Sequence, residues 1–336
     1  MTTPILPLQA PAIRKLRRAL LDWYTRNRRD LPWRGDAHPY RVWVSEIMLQ
    51  QTRVAAVLEH YARFMRKFPT LGDLAAAREA EVLAAWSGLG YYHRARRMHQ
   101  AAKEIVHAHG GDFPRKAQAW RELPGIGRYT AAAIASIAFG EPVAVVDGNV
   151  ERVVERLFGR NASREAAWLR AEVLLDRKRP GDFNQAMMEL GATICTPRTP
   201  QCLACPLYPW CESRGALAAA ATAPRKRRQL AYAIMRRGRS VLLLQRAADA
   251  SLMAGMWELP SVAADELNGD QPVATFRHSI TDTDYQVRVY ELPARSGGPG
   301  RWVTPGRMGS LPLTGLTRKI LRALGDESRR PPAKSK

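Results

Sequence analysis

All four cysteines of the chain stand in one short stretch, Cys195, Cys202, Cys205 and Cys211, spaced C-x6-C-x2-C-x5-C. Four thiols confined in this way must either pair off or share a metal centre, and each choice restricts the fold. Two disulfides fit poorly. The stretch from Arg14 to Arg29 is basic and amphipathic rather than a secretory signal, and a cytosolic chain keeps its thiols reduced. The expected compartment is therefore the cytoplasm. Zinc held by four cysteines is the serious rival. Zinc ribbons, however, usually carry two C-x2-C pairs, and only Cys202 and Cys205 form one here. An iron–sulfur cluster needs four thiolates with none left over. The ladder favours a [4Fe–4S] cluster with a structural role.

The second constraint is charge. The 336 residues include 52 Lys and Arg against 31 Asp and Glu, a formal charge of +21. Such an imbalance points to nucleic acid as partner. No apolar run is long enough to span a bilayer, so no membrane role is expected.

The hydrophobic period changes once along the chain. Residues 8–212 read as helices. Residues 213–229 are Ala-rich and then basic, ending in Arg225, Lys226, Arg227 and Arg228, which is a linker composition. Residues 230–325 read as short strands, with Ala231–Met235 and Val241–Gln245 flanking a turn at Gly238 in an expected hairpin. Val287–Leu292 is a further strand candidate, and residues 326–336 read as a disordered tail.

Within the helical half, Tyr40–Phe68 predicts two helices meeting at a polar corner, Gln50–Gln51–Thr52. Leu74–Trp86 and Arg94–His109 predict two more, separated by Gly88–Leu89–Gly90. Residues 121–140 contain Leu123–Pro124–Gly125–Ile126–Gly127 before the small-residue helix Ala131–Phe139. A helix, a Gly-x-Gly turn and a second helix form a helix–hairpin–helix. Gly125 and Gly127 let the backbone approach a phosphate, and the helix start offers free N–H groups. Asp147 follows, just before a helix over Asn149–Phe158. Taken alone, an aspartate there reads as a cap.

The order of these marks, L-P-G-x-G, then V-D-G-N, then the cysteine ladder, resembles the endonuclease III/MutY superfamily of DNA glycosylases over nearly all of residues 8–211. The resemblance implies that Asp147 is the catalytic carboxylate. In the endonuclease III branch a nucleophilic lysine stands at the position of Tyr129. The tyrosine implies a monofunctional glycosylase that makes no imine. The run Val42 to Thr52 is similar to the MutY adenine glycosylase family, as are Leu31–Pro32–Trp33–Arg34, Gly88–Leu89–Gly90–Tyr91–Tyr92 and Phe183 to Gly191. A thymine-mismatch branch shares the tyrosine but lacks a glutamate where Glu46 stands.

The resemblance implies a division of labour. Glu46 protonates adenine at N7 and then assists the attacking water, while Asp147 stays ionised against the sugar cation. Tyr129 and Asn149 orient this pair. Trp33, Arg34 and Glu189 line the adenine pocket. Gln51 and Tyr91 enter the duplex as the target base leaves the stack, with Thr52 and Leu89 beside them at the DNA. A core role is the plainer reading of Tyr91, but Tyr92 next to it cannot share its orientation, so one of the two is expected to face DNA. Arg198 is expected to meet phosphate from the cluster loop, residues 195–211.

Residues 230–324 resemble the Nudix-like C-terminal domain of the MutY family through Val241–Arg246 and Gly255–Pro260. Ser261 to Ala264 supply none of the acidic helix a Nudix hydrolase needs for magnesium, so a binding module is expected. In the family this domain reads 8-oxoguanine through a Phe-Ser-His loop. Ile280, Thr281 and Asp282 stand at the corresponding place, and Thr281 alone keeps a hydroxyl.

The expected fold is thus multidomain: an all-helical helix–hairpin–helix glycosylase domain with an iron–sulfur loop, followed by a Nudix-like α/β domain. The expected activity is monofunctional removal of adenine paired with 8-oxoguanine or guanine in double-stranded DNA, by a monomer. The alternatives are a related mismatch glycosylase with another opposing-base preference and a non-catalytic iron–sulfur DNA-binding protein. Glu46 and Asp147 together disfavour the latter, because binding alone needs no acid beside a phosphate backbone.

Overall fold

The computed structural model describes residues 8–159, 163–215, 225–250, 253–263, 267, 270–280, 282–294 and 299–326. By its internal contacts the chain divides into two units. One comprises Met1–Ala62, Thr70–Ala75 and Gln100–Ala221; the other comprises Arg63–Pro69, Ala76–His99 and Thr222–Lys336. Two helical segments thus group with the C-terminal half rather than with their sequence neighbours. Side chains explain one of them. Ser87 Oγ and Tyr92 Oη both donate to the Leu313 carbonyl, at 2.8 and 3.0 Å, and Arg318 Nε donates to Ser87 Oγ at 3.1 Å.

The helices run in order α1 (Ala10–Asn27), α2 (Pro39–Leu49), α3 (Val54–Lys67), α4 (Leu71–Ala76), α5 (Glu79–Trp86), α6 (His93–Ala108), α7 (Ala117–Glu122), α8 (Arg128–Phe139), α9 (Gly148–Phe158), α10 (Arg164–Leu174) and α11 (Pro180–Thr193). The expected polar corner separates α2 from α3. The single helix expected over Leu74–Trp86 is two helices, because Arg78 starts a new one: the Glu81 carboxylate reaches back to accept from the Arg78 N–H at 3.1 Å, satisfying a donor at the helix start.

The first unit is organised around α8, which has alanine at five of its twelve positions. Small side chains let α2, α7 and α11 all approach it. The core between α1, α8, α9, α10 and α11 includes Leu20, Val146, Val154, Leu174, Phe183 and Leu190, all buried. Each such side chain contributes roughly 1.5–3 kcal/mol through burial. At Gly191 on α11 the closest approach is to Asn149, where an added Cβ would sit 2.6 Å from the Asn149 Cβ. Glycine there fixes the spacing of α9 and α11.

The strands of the second unit begin at Lys226, four residues earlier than the change of period at Leu230. They are β1 (Lys226–Ile234), β2 (Arg236–Arg237), β3 (Ser240–Gln245), β4 (Trp257–Glu258), β5 (Ala274–Ile280), β6 (Thr283–Glu291) and β7 (Arg301–Val303), followed by α12 (Pro305–Met308) and α13 (Gly315–Ala323). The hairpin expected around Gly238 forms, but its first arm is the short β2 rather than Ala231–Met235. β1 instead pairs in parallel with β6, from Lys226 opposite Thr283 to Ile234 opposite Glu291. β5 pairs antiparallel on the other side of β6, and β3 holds β2, β4 and β7. Ile234, Val241, Leu243, Val287 and Val289 face one core, closed by Ile320 and Leu321 of α13.

Candidate active site

Two helix starts and one buried glutamate build the site, all within the first unit. Asp147 is the N-cap of α9. Its Oδ1 accepts the N–H groups of Asn149 and Val150 at 2.9 and 2.8 Å, and its Oδ2 accepts Asn149 Nδ2 at 2.9 Å. The capping reading and the catalytic reading are therefore compatible, since the cap is what aims the carboxylate. The extended stretch before it is pinned by Asn184, a buried side chain that accepts from Val145 N at 3.1 Å and donates to Ser136 Oγ and the Val143 carbonyl, both at 2.9 Å.

Glu46 sits on α2, only 5 % exposed. Burial raises its carboxyl to about 7, and Asp147 pushes in the same direction, against a hydrogen bond from Tyr129 and the charge of Arg34. Tyr129, in the first turn of α8, donates to Glu46 Oε2 at 2.7 Å. Burial keeps that phenol protonated well above its ordinary range, so it remains a donor. An acid that exchanges its proton near neutrality thus stands beside a hydrogen-bonded aspartate, an arrangement suited to acid–base work at a glycosidic bond.

Both carboxylates face a cavity of about 270 Å³ that also exposes Trp33, Arg34, Gln185, Met188 and Glu189. That lies just below the usual range of ligand pockets, roughly 300–1,000 Å³, and suits one flat base. Trp33 meets Tyr61 edge-on, with ring centres 5.2 Å apart. Glu189 on α11 is 1 % exposed and accepts from Arg29 Nε at 2.7 Å, Arg29 Nη2 at 2.8 Å and Arg34 Nη2 at 2.8 Å. Burial alone would raise this carboxyl, but the two arginines override it and hold it at about 2. Two buried glutamates therefore differ in kind: Glu46 can carry a proton and Glu189 is a fixed anion.

A more open groove joins the cavity. Thr52, Tyr129, Asp147 and Asn149 line both, and the groove adds Gln51, Gly127, Gly148 and Arg164. Gln51 is exposed with φ at 55°, a left-handed conformation rare outside glycine. Gln50 steadies the corner by donating to Thr130 Oγ1 at 3.0 Å. In the hairpin, Gly125 has φ of 77° and needs glycine for that reason. Gly127 has φ of −88° as the N-cap of α8, with open space where a Cβ would be; its use is access. Arg198 is exposed.

Leu89 and Tyr91 belong to the second unit. Leu89 is buried, Tyr91 is half-buried at φ of 48°, and Tyr92 is buried with its hydroxyl bound to Leu313. Of the two tyrosines, Tyr91 is the one left accessible. Thr281 lies outside the described residues. Asp282 is exposed, accepting from Thr283 Oγ1 at 3.0 Å and pairing with Lys226 Nζ at 3.3 Å. Arg225 pairs with Asp284 at 2.7 Å. Part of the basic run read as linker thus neutralises this acidic hairpin.

Cys195, Cys202, Cys205 and Cys211 line one further cavity with Arg156, Ile194 and Tyr208. Among the described residues no three His, Cys, Asp or Glu side chains converge closely enough to hold a single metal ion. Four thiols ringing a common space suit a cluster, which is wider than one ion. Arg156 Nη1 donates to Cys195 Sγ at 3.3 Å, placing a cation beside the four sulfurs.

Several contributors carried no motif-level signal. Arg29 completes the clamp on Glu189. Arg152 donates to Asn149 Oδ1 at 2.8 Å, the Gly191 carbonyl at 2.7 Å and the Cys195 carbonyl at 2.8 Å. The side chain that orients Asp147 is thereby tied to the first cysteine. The four-residue spacing of Arg152 and Arg156, which puts both on one face of α9, was the available clue.

Comparison with known proteins agrees with this geometry. Residues 44–174 match the HhH-GPD superfamily base excision DNA repair protein family, and residues 231–323 match the NUDIX domain family. The chain is 36 % identical to the adenine DNA glycosylase of Mus musculus over 398 residues, covering 91 % of this chain and 77 % of the relative. The chain belongs to the adenine DNA glycosylase family. It is accordingly a DNA N-glycosylase, with a helix–hairpin–helix glycosylase domain followed by a Nudix-like domain. It is also 45 % identical to the Mycobacterium tuberculosis adenine DNA glycosylase, over 59 % of this chain and 67 % of that protein. The match to the human adenine DNA glycosylase, at 50 % identity, spans 59 % of this chain but 39 % of the human protein. Among solved structures, a thermostable thymine-DNA glycosylase aligns with TM-score 0.56 and 32 % identity, over 61 % of this chain and all of that one. An endonuclease III–DNA complex aligns with TM-score 0.54 at 24 % identity, a likeness of fold.

Proposed function

We propose that the chain removes adenine mispaired with 8-oxoguanine or guanine by hydrolysing its N-glycosidic bond, acting as a monomer on double-stranded DNA in the cytoplasm. The observation that carries this reading is the pair of carboxylates in one base-sized cavity, with Glu46 raised to about 7 by burial. The base reaches the cavity from the groove after leaving the stack, with Gln51 and Tyr91 entering the duplex. Glu46 delivers its proton to N7 as the bond between C1′ and N9 breaks. Asp147, fixed by Asn149 and the start of α9, supplies negative charge to the sugar cation. Water then adds to C1′, giving its proton to Glu46 and regenerating the acid. Glu189 accepts hydrogen bonds from Arg29 and Arg34, which leaves the arginine fork and Trp33 to bound the base. Tyr129 cannot form an imine, so the reaction stops at base removal, and borohydride should trap no adduct at that position.

The four cysteines would hold a [4Fe–4S] cluster. With a cluster bound, residues 195–211 would be cross-linked and Arg198 would be held for a phosphate contact, while Arg152 and Arg156 join that loop to α9. The deciding experiment is single-turnover excision from duplexes carrying adenine opposite 8-oxoguanine, guanine, cytosine and thymine. Excision confined to the first two supports the reading, and no excision from any duplex sinks it.

The hairpin β5–β6 favours a second reading of the opposing-base preference. Asp282 is an anion set where DNA is expected, and Lys226 and Thr283 meet it. Phosphate repulsion is thereby reduced, and the carboxylate can accept from a guanine exocyclic amine. We therefore expect a weaker 8-oxoguanine-over-guanine preference than in an Ile280→Phe/Thr281→Ser/Asp282→His variant. Equal preference in both proteins would reject this.

A further inference from the structure

Tyr91 is held in a backbone conformation that tyrosine adopts only under constraint. Its φ of 48° follows Gly88 at 109° and Gly90 at 70°, so three of four consecutive residues are left-handed. Left-handed backbone crowds the Cβ of any residue but glycine. Something must hold this turn. Trp86, fully buried, donates its indole N–H to the Gly90 carbonyl at 3.1 Å. Arg94 Nη2 donates to the carbonyls of Leu89 and Gly90 at 3.3 and 3.2 Å. Its guanidinium carbon lies 5.4 Å from the centres of both the Trp86 and the Tyr91 rings.

Arg94 is only 6 % exposed. Burying a guanidinium is costly, and a well-packed apolar residue of similar size often serves stability as well or better. What an apolar side chain cannot supply is an N–H group that donates to two carbonyls at once together with a flat cationic face for an aromatic ring. Those are the two things this turn uses.

We infer that Arg94 is a positioning residue, which holds the Gly88–Tyr91 turn in its strained shape and so presents the Tyr91 ring for insertion into DNA before DNA arrives. The inference rests on the proposed base-flipping reading, in which Tyr91 enters the duplex. It assigns Arg94 no contact with the base.

The test uses the full chain and Arg94→Met, Tyr91→Ala and the double variant. Arg94→Met removes the donors and the charge while filling the same space, so a purely structural arginine predicts intact folding and normal base extrusion. Extrusion is read from the fluorescence rise of 2-aminopurine placed beside the target adenine. Excision is measured on a paired mismatch and on a duplex whose adenine faces an abasic site, where little work remains for a wedge. We expect Arg94→Met to keep its thermal midpoint within a few degrees. It should slow extrusion and paired-substrate excision at least tenfold, and change excision opposite the abasic site less than threefold. The double variant should be no slower than Tyr91→Ala alone. Should Arg94→Met not fold, Arg94→Lys, which keeps the charge without the flat guanidinium face, is put through the same cycle and should still fall at least threefold on the paired substrate only. Normal extrusion by the folded variant, or losses that add fully in the Tyr91→Ala background, would overturn the assignment. A parent protein that neither extrudes nor excises adenine would overturn the base-flipping reading beneath it, an outcome the parent control reports by itself.

Discussion

Glu46→Gln should abolish excision and at the same time stabilise the protein, by an amount that depends on pH. The cause is the distance between the carboxyl's ordinary value of 4.5 and the value of about 7 that burial gives it in the folded state. A group with a raised folded value contributes most below its unfolded value, and its contribution is lost as pH climbs through the folded one. At 1.36 kcal/mol per unit, the penalty of keeping this acid buried grows between pH 5 and pH 8 by about 2.5 kcal/mol. Glutamine has no charge to desolvate and escapes that penalty. The difference in unfolding free energy, variant minus parent, should therefore rise by about 2.5 kcal/mol from pH 5 to pH 8, whatever its absolute size. Urea unfolding followed by tryptophan circular dichroism at five pH values measures it. The same group should appear in single-turnover excision by the parent, as a rate that falls above pH 7. A stability difference flat across this range, or a parent rate that does not fall above pH 7, would refute the argument that burial sets the acid.

Three further outcomes follow from neighbouring contacts. Tyr129→Phe removes the hydrogen bond that opposes the rise at Glu46, so the fall in excision rate with pH should move upward, and an unmoved profile would show that the phenol does not tune the acid. Gly191→Ala places a Cβ 2.6 Å from that of Asn149, forcing α9 and α11 apart; a loss of about 1–3 kcal/mol and slower excision are expected, read by unfolding and single-turnover rates. Protein prepared anaerobically should be yellow-brown with about four irons and matching sulfide per chain, and stoichiometric zinc without sulfide would show that the cysteines hold another centre.

The chemistry was more legible in the sequence than its support. Glu46, Asp147 and Tyr129 could be read because each sits in a local string whose turn or helix start leaves little conformational choice. Capping by Asp147 needs only the next three residues, and the polar corner at Gln50 to Thr52 needs only a break in the helical period. The arginines behave otherwise. Arg29, Arg94, Arg152 and Arg156 occur among 52 basic residues, most of which a sequence reading assigns to a solvated or DNA-facing surface. What distinguishes these four is the carbonyl or carboxylate they reach, and each target depends on how the turns and helices meet. The hairpin expected at Gly238 failed in part for a similar reason. Ala231–Ile234 has a sound strand pattern, but period alone does not choose a partner. β6 offers nine consecutive positions for pairing while β3 offers fewer, and the longer ladder takes β1.

Charge accounts for the remaining difference. The chain's excess of +21 reads as attraction to phosphate, yet several of its arginines are consumed internally, and each use fixes a group that the chemistry needs in one place. Arg29 and Arg34 keep Glu189 ionised beside Glu46. Had Glu189 been left unpaired, burial would have raised it too, and the cavity would hold two neutral acids competing to donate. The arginine clamp removes one of them from the competition. Of the two glutamates, a proton available near neutrality then goes to Glu46, which shares the cavity with Asp147 and lies 2.7 Å from the Tyr129 hydroxyl. The division of acid and fixed anion between the two buried glutamates therefore follows from which of them the arginines clamp. A surface-charge count does not contain that information.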